Sequence, residues 1–289
     1  MHHHDDHDLG LAHDLKAMHQ LASRRRALGW FAGASGAAML AACDGGSSDA
    51  TTSSSSAATA TPTPTASATA TPTPTATATS GTCVVDPTET NGPYPADGTN
   101  TSSGITSNVL TAATAVRSDI RSSFLGSSTA TAAGVQVTLT LTLVNVNAAC
   151  APLAGYAIYI WHLPAESYLR GVGVTDSNGQ VTFTTIFPGC YAGRWPHIHF
   201  EVFSSLANAT GGRYATLISQ LALPSAVCST VYNGATGYST SVRNLAGVTL
   251  SSDGVFGDNS SAQIAQQTPV MSGSVAAGYT ATAMIGIVR

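Results

Sequence analysis

Val135-Gln136-Val137-Thr138-Leu139-Thr140-Leu141-Thr142-Leu143 alternates apolar side chains with Gln and Thr without a break. A period of two puts the apolar residues on one face of an extended strand and the polar ones on the other. The segment therefore reads as a half-buried β-strand. Further β-like segments flank a turn. Residues 156–161 are β-branched and aromatic, and Asp176-Ser177-Asn178-Gly179 is a turn signal ahead of Val181-Thr182-Phe183-Thr184. Residues 197–203 and 280–288 read as further strands, and no segment holds a helical period over three turns. The predicted fold is all-β, an antiparallel β-sandwich of two packed sheets, preceded by a disordered stalk.

The chain has 289 residues with 9% charged residues and a net charge of -4. No basic patch or charge run occurs, which excludes a nucleic-acid-binding surface on electrostatic grounds. Residues 1–42 read as a targeting segment. Ser23-Arg24-Arg25-Arg26-Ala27-Leu28 has the form of a twin-arginine export signal, and Leu40-Ala41-Ala42-Cys43 has the form of a lipobox. The expected protein is exported to the cell envelope or beyond, with a lipid anchor at Cys43 as its one membrane contact. An ordinary signal peptide with an incidental cysteine is the alternative. The histidines at 2–4, 7, 13 and 19 belong to this leader. Residues 43–82 are rich in Ser, Thr, Ala and Pro, with Thr-Pro-Thr-Pro at 61–64 and again at 71–74. That composition cannot form a core and predicts an extended linker. The folded domain is expected over residues 83–289.

Cys83, Cys150, Cys190 and Cys228 lie in that domain. An oxidising compartment predicts one or two disulfides, and the sequence leaves the pairing open. No C-x-x-C spacing supports a thiolate metal site.

Chemistry concentrates in Pro188-Gly189-Cys190-Tyr191-Ala192-Gly193-Arg194-Trp195-Pro196-His197-Ile198-His199-Phe200. On a strand, His197 and His199 point to the same face and can share one metal ion, while Ile198 turns into the core. Tyr191 stands six residues earlier, across a glycine-containing turn. A phenolate beside imidazoles favours a hard, high-valent ion such as Fe(III). Arg194 supplies a guanidinium able to stabilise an anion.

The order of several further segments carries a resemblance. Glu89-Thr90-Asn91-Gly92-Pro93-Tyr94, Arg117-Ser118-Asp119-Ile120-Arg121, Pro152-Leu153-Ala154-Gly155 leading to Trp161-His162, Tyr168-Leu169-Arg170-Gly171-Val172, Thr175-Asp176 and Thr184-Thr185-Ile186-Phe187-Pro188-Gly189 occur in sequence. Over residues 83–231 the chain resembles the bacterial intradiol ring-cleavage dioxygenases, the group of protocatechuate and catechol dioxygenases, in their secreted branch. The resemblance implies a non-haem Fe(III) enzyme that binds a catechol-type aromatic and O2 and forms a cis,cis-muconate-type diacid. It implies iron held by two tyrosines and two histidines. Tyr191, His197 and His199 match three of these ligands, and Arg194 matches the arginine that stabilises the ring under attack. It also allows an oligomer, since family members often associate.

The remaining ligand falls where this chain departs from the pattern. Between Trp161-His162 and Leu169-Arg170-Gly171 the family's longer loop is shortened to Leu163-Pro164-Ala165-Glu166-Ser167-Tyr168. Tyr168 stands in the place of two tyrosines, one of them the ligand that leaves iron and takes the substrate proton. Three readings stay open: Tyr168 is the fourth ligand and base, the site has three protein ligands, or the domain is a non-catalytic surface binding module. The short loop predicts a more open pocket unless a segment after residue 230 closes it. His162 reads as a locally hydrogen-bonded residue, Glu201 as an exposed strand carboxylate, and Tyr94 as either a pocket wall or a turn aromatic.

Overall fold

The computed structural model describes residues 83–102, 105–124, 130–163 and 169–289. The leader, Cys43, the linker and Tyr168 lie outside the described residues.

A five-stranded sheet runs in the order β10 (Val270–Ser274), β11 (Gly278–Ile287), β3 (Gln136–Asn145) and β4 (Ala151–Pro152), with β7 (Gln180–Ile186) also paired to β3. A four-stranded sheet runs β6 (Leu169–Val174), β5 (Ala157–His162), β8 (His197–Phe203) and β9 (Leu217–Ala222). A separate hairpin pairs β1 (Asp97–Ser102) with β2 (Ile105–Asn108). The alternation in β3 does what its sequence predicts. Val137, Leu139, Leu141 and Leu143 are buried between the sheets, while Thr140 and Thr182 meet across β3 and β7 through their hydroxyls on the outer face. In the turn before β7, the Asp176 carboxylate accepts from the Asn178 and Gln180 amides, and Gly179 takes a positive φ of 71°.

Two features differ from the sequence expectation. The pairing is antiparallel except that β11 runs parallel to β3, from Tyr279 opposite Val137 to Ile287 opposite Asn145. Three helices also follow β9: α1 (Ser225–Gly234), α2 (Ser239–Leu245) and α3 (Ser261–Gln267). They have 10, 7 and 7 residues, so none is long enough for a period to declare itself over three turns. Among the described residues one disulfide forms, Cys83–Cys150, and Cys190 and Cys228 are buried free thiols.

β8 is buried on both faces. Ile198, Phe200 and Val202 enter the core between the sheets. His197, His199, Glu201 and Phe203 point the other way. There Tyr159, Trp161, Val172 and Phe203 pack beneath Val109, Leu110 and Ala115 from the chain ahead of β3. This second, smaller core turns the outer face of the four-stranded sheet into an interior, and the candidate site sits at its edge.

Candidate metal centre

His197 and His199 are 3% and 5% exposed. His197 Nδ1 lies 2.6 Å from the Trp195 carbonyl, which can only accept, so Nδ1 carries the proton and Nε2 presents a bare lone pair. That lone pair faces His199 Nε2 at 3.2 Å, with the two rings at 81°. His199 Nε2 therefore donates in the free protein, leaving its buried Nδ1 without a partner. Burial first, and then Arg194, depress the His197 pKa to about 3. Burial, His197 and Arg194 drive His199 down as well. Both imidazoles are neutral at pH 7, the form that binds a metal.

Other side chains set the ring planes. Trp161 stacks on His199 at 4.8 Å and 5°, and Tyr159 stacks on Trp161 at 4.9 Å. The strand register dictates this, because Trp161 lies opposite His199 and Tyr159 opposite Glu201. Tyr191 lies against the outer ring, 5.6 Å from His197 at 28°. Gly92 abuts His199: a Cβ at position 92 would stand 3.0 Å from Cε1.

Arg194 is fixed from two sides. Its Nε donates to Asp253 Oδ2 at 3.0 Å, and its Nη2 donates to Gln220 Oε1 at 2.7 Å. Gln220 stands opposite His199 on β9 and donates in turn to the Thr90 carbonyl at 2.9 Å. Asp253 is completely buried and also accepts from the Trp195, Val255 and Phe256 amides. Burial alone would raise its pKa, but Arg194, these amides and His197 outweigh burial and hold the carboxyl below its ordinary range.

Three sequence expectations are tested here. Glu201 is not an exposed strand carboxylate but is fully buried, because the segment around β1 covers this face. Burial first, and then the neighbouring Asp97, raise its pKa to about 10, so Glu201 is protonated at pH 7. His162 is hydrogen-bonded not to a neighbour in sequence but across the sheets, to Thr185 Oγ1 on β7 at 2.7 Å. Segments after residue 230 and the chain ahead of β1 border the site. Ser241 and Asn244 of α2 bond the Cys190 backbone, Asp253 holds Arg194, and the strap of residues 89–95 crosses His199. The strap is tied down by Gln220 at Thr90, by Asn100 at Pro93, and by Arg170 at the Tyr94 and Pro95 carbonyls. Tyr94 thus enters through its backbone in an ordered strap. The Cys190 thiol, pushed up to about 12 by burial and then Asp253, faces the Tyr191 and Arg194 carbonyls.

The structure thus brings together Tyr191, Arg194, His197 and His199, while Tyr168 lies outside the described residues. Gln220, Asp253 and Gly92 are the partners that sequence reasoning missed. Gln220 had one weak signal, a lone amide in the apolar run Leu217-Ile218-Ser219-Gln220-Leu221-Ala222.

The donor chemistry fits a metal ion. Among the described residues no three His, Cys, Asp or Glu side chains group as a metal site, so two imidazoles and a phenol would have to serve. Two imidazole nitrogens bound to one ion at about 2.1 Å and roughly at right angles stand about 3 Å apart. The observed separation of 3.2 Å matches that spacing.

No protein-family model matches the chain, and no curated protein matches it. Solved structures do. An intradiol ring-cleavage dioxygenase from Tetranychus urticae superimposes over 71% of this chain and 95% of its own, with 22% identity and a TM-score of 0.52. A second dioxygenase gives 21% identity over the same shares, also with a TM-score of 0.52. The dioxygenase domain of a carbohydrate-binding fusion protein from Streptomyces sp. SirexAA-E covers 71% of this chain and 99% of its own, at 20% identity and a TM-score of 0.42. The β-sandwich carrying this histidine pair has the fold of the intradiol ring-cleavage dioxygenases.

Proposed function

We propose that the chain is a non-haem ferric dioxygenase that opens catechol-type rings with O2 between the two hydroxylated carbons. The observation that carries the reading is the pair of neutral imidazoles with Nε2 atoms 3.2 Å apart, with Tyr191 against one ring and Arg194 fixed beside both. Tyr191, His197 and His199 would hold the ion, with Tyr168 as fourth ligand. Ferric iron, when bound, supplies a Lewis acid at which the diol and O2 meet.

This chain's own residues do the rest. Trp195 holds the His197 tautomer by accepting from Nδ1, so that Nε2 stays a donor atom. With Nε2 given to a metal, His199 would hold its proton at Nδ1, the buried nitrogen that has no partner in the free protein. The Arg194–Asp253 pair would set a fixed dipole beside the site, its guanidinium end stabilising negative charge that develops on the ring. Gln220 and Asp253 keep that guanidinium from rotating away. The strap and Trp161 keep bulk water from the histidines.

The twin-arginine leader and lipobox make the enzyme an exported one, anchored at Cys43. The Cys83–Cys150 disulfide suits the oxidising compartment that this requires.

The test is the visible spectrum of the full-length protein loaded with ferric iron, together with O2 uptake on adding catechol. Phenolate-to-iron absorption that weakens in both Tyr191→Phe and Tyr168→Phe supports a four-ligand enzyme. Loss in Tyr191→Phe alone means three protein ligands. A colourless protein that consumes no O2 would refute the proposal.

A further inference from the structure

We infer that the site accepts a catechol ring without a carboxylate substituent and discriminates against carboxylated rings. This rests on the dioxygenase reading above and comes from the positive charges of residues 83–289.

Residues 83–289 contain no lysine and seven arginines, at 117, 121, 170, 194, 213, 243 and 289. The six other than Arg194 lie elsewhere or are engaged by other partners, although Arg170 acts electrostatically on His199. Arg117 donates to the Arg170, Ser122 and Ile120 carbonyls and lies over the Phe124 ring. Arg121 pairs with Asp119 and Gln136. Arg170 is buried beneath the strap, bonded to the Tyr94 and Pro95 carbonyls and the Tyr159 hydroxyl. Arg213 bonds to the Tyr214 hydroxyl, and Arg289 to the Tyr156 hydroxyl. Arg243 is exposed on α2. That helix meets the site's turn through Ser241 and Asn244, which are three residues apart and share a face that excludes Arg243. The internal segments 103–104, 125–129 and 164–168 contain neither Lys nor Arg, and the last of them contains Glu166.

Arg194 is the guanidinium bonded to Gln220, opposite His199 on β9, and a buried carboxylate already pairs with it. Asp253, with no exposed side-chain surface, forms the ion pair, and Gln220 takes a second guanidinium edge. Glu89 adds a further carboxyl within electrostatic reach of Arg194. A diol whose oxygens would bind the metal while its protons pass to solvent or a base needs no other cation. A ring carboxylate would shed its hydration and find a guanidinium already paired. The cost falls on binding, and an uncharged alkyl or hydroxyl substituent escapes it.

The probes are catechol, 4-methylcatechol and protocatechuate, titrated into the full-length ferric protein. Affinity is read from the change in visible absorption and, separately, kcat/KM from O2 uptake. Both uncharged rings should bind at least about tenfold more tightly than protocatechuate, the value of one missing charge-assisted hydrogen bond. In Asp253→Asn, Arg194 loses its counter-ion, so the preference should shrink severalfold. The wild-type comparison decides alone if that variant does not fold. Equal affinity for protocatechuate would overturn the inference while leaving the dioxygenase reading intact. No spectral change and no O2 uptake with any ring would overturn both.

Discussion

Replacing Asp253 with Asn should destabilise the domain by removing charge without removing volume. The carboxylate is fully buried and holds four donors: Arg194 Nε and the amides of Trp195, Val255 and Phe256. Asn keeps one acceptor oxygen but leaves the guanidinium without a counter-ion. Removing one partner of a buried pair costs about 3–5 kcal/mol. The Arg194 side chain is 15% exposed, so water relieves part of that, and the expected loss is about 3 kcal/mol. For a folded unit of this size the melting temperature should fall by roughly 6–12 °C. The effect must depend on pH. A carboxyl held below its ordinary value of 3.8 contributes stability that is present above that value and lost as pH falls through the folded pKa. Wild type and variant should therefore differ at pH 7 and converge in acid. Denaturant titrations at both pH values measure this, with Arg194→Met and the double variant completing a cycle. A loss under about 1 kcal/mol at pH 7, or an unchanged gap in acid, would refute the charge argument.

Four other variants probe the strap, a turn, a buried carboxyl and the disulfide. Gly92 has φ of +69° and a Cβ there meets His199, whereas Gly193 has φ of +77° and open space around it. Alanine at either position should cost about 1–2 kcal/mol of backbone strain, but only Gly92→Ala should weaken ferric iron retention in a metal titration; equal retention would refute the His199 contact. Asp86 accepts from Gly286 N and Gln266 Nε2, while its other oxygen is buried without a partner; burial raises its pKa to about 7. Its folded pKa lies above the unfolded value, so stability present below about pH 4 should fall as pH rises towards 7, by up to about 4 kcal/mol, and Asp86→Asn should abolish that slope in denaturant titrations. Replacing Cys83 and Cys150 together by Ala opens a loop of 67 residues, which should cost about 4 kcal/mol and lower the melting temperature by roughly 8–16 °C.

The strands were legible because their signals are local. The β3 alternation and the His197–Phe203 run each carry their own period, and the structure places strands on both. The parallel pairing of β11 with β3 was not legible, since register between strands some 140 residues apart leaves no mark in either. Glu201 was misread for a related reason. A period-two pattern says which residues share a face but not whether a distant segment covers it, and here the chain ahead of β3 does.

The site divides along the same line. Tyr191, Arg194, His197 and His199 lie within nine residues on one turn and one strand, so the sequence alone groups them. Gln220, Asp253 and Gly92 converge on the same few ångströms from three other places in the chain. They decide what the legible residues can do. Without Asp253 and Gln220, Arg194 would be a mobile cation open to any anion. With them it is a fixed, neutralised dipole beside two uncharged imidazoles. Ligand identity is thus written in a short motif, whereas selectivity is written in the long-range contacts that set its charge. A chain with the same Tyr191–His199 motif but an apolar residue at 253 should bind the same metal and lose the preference for uncharged rings.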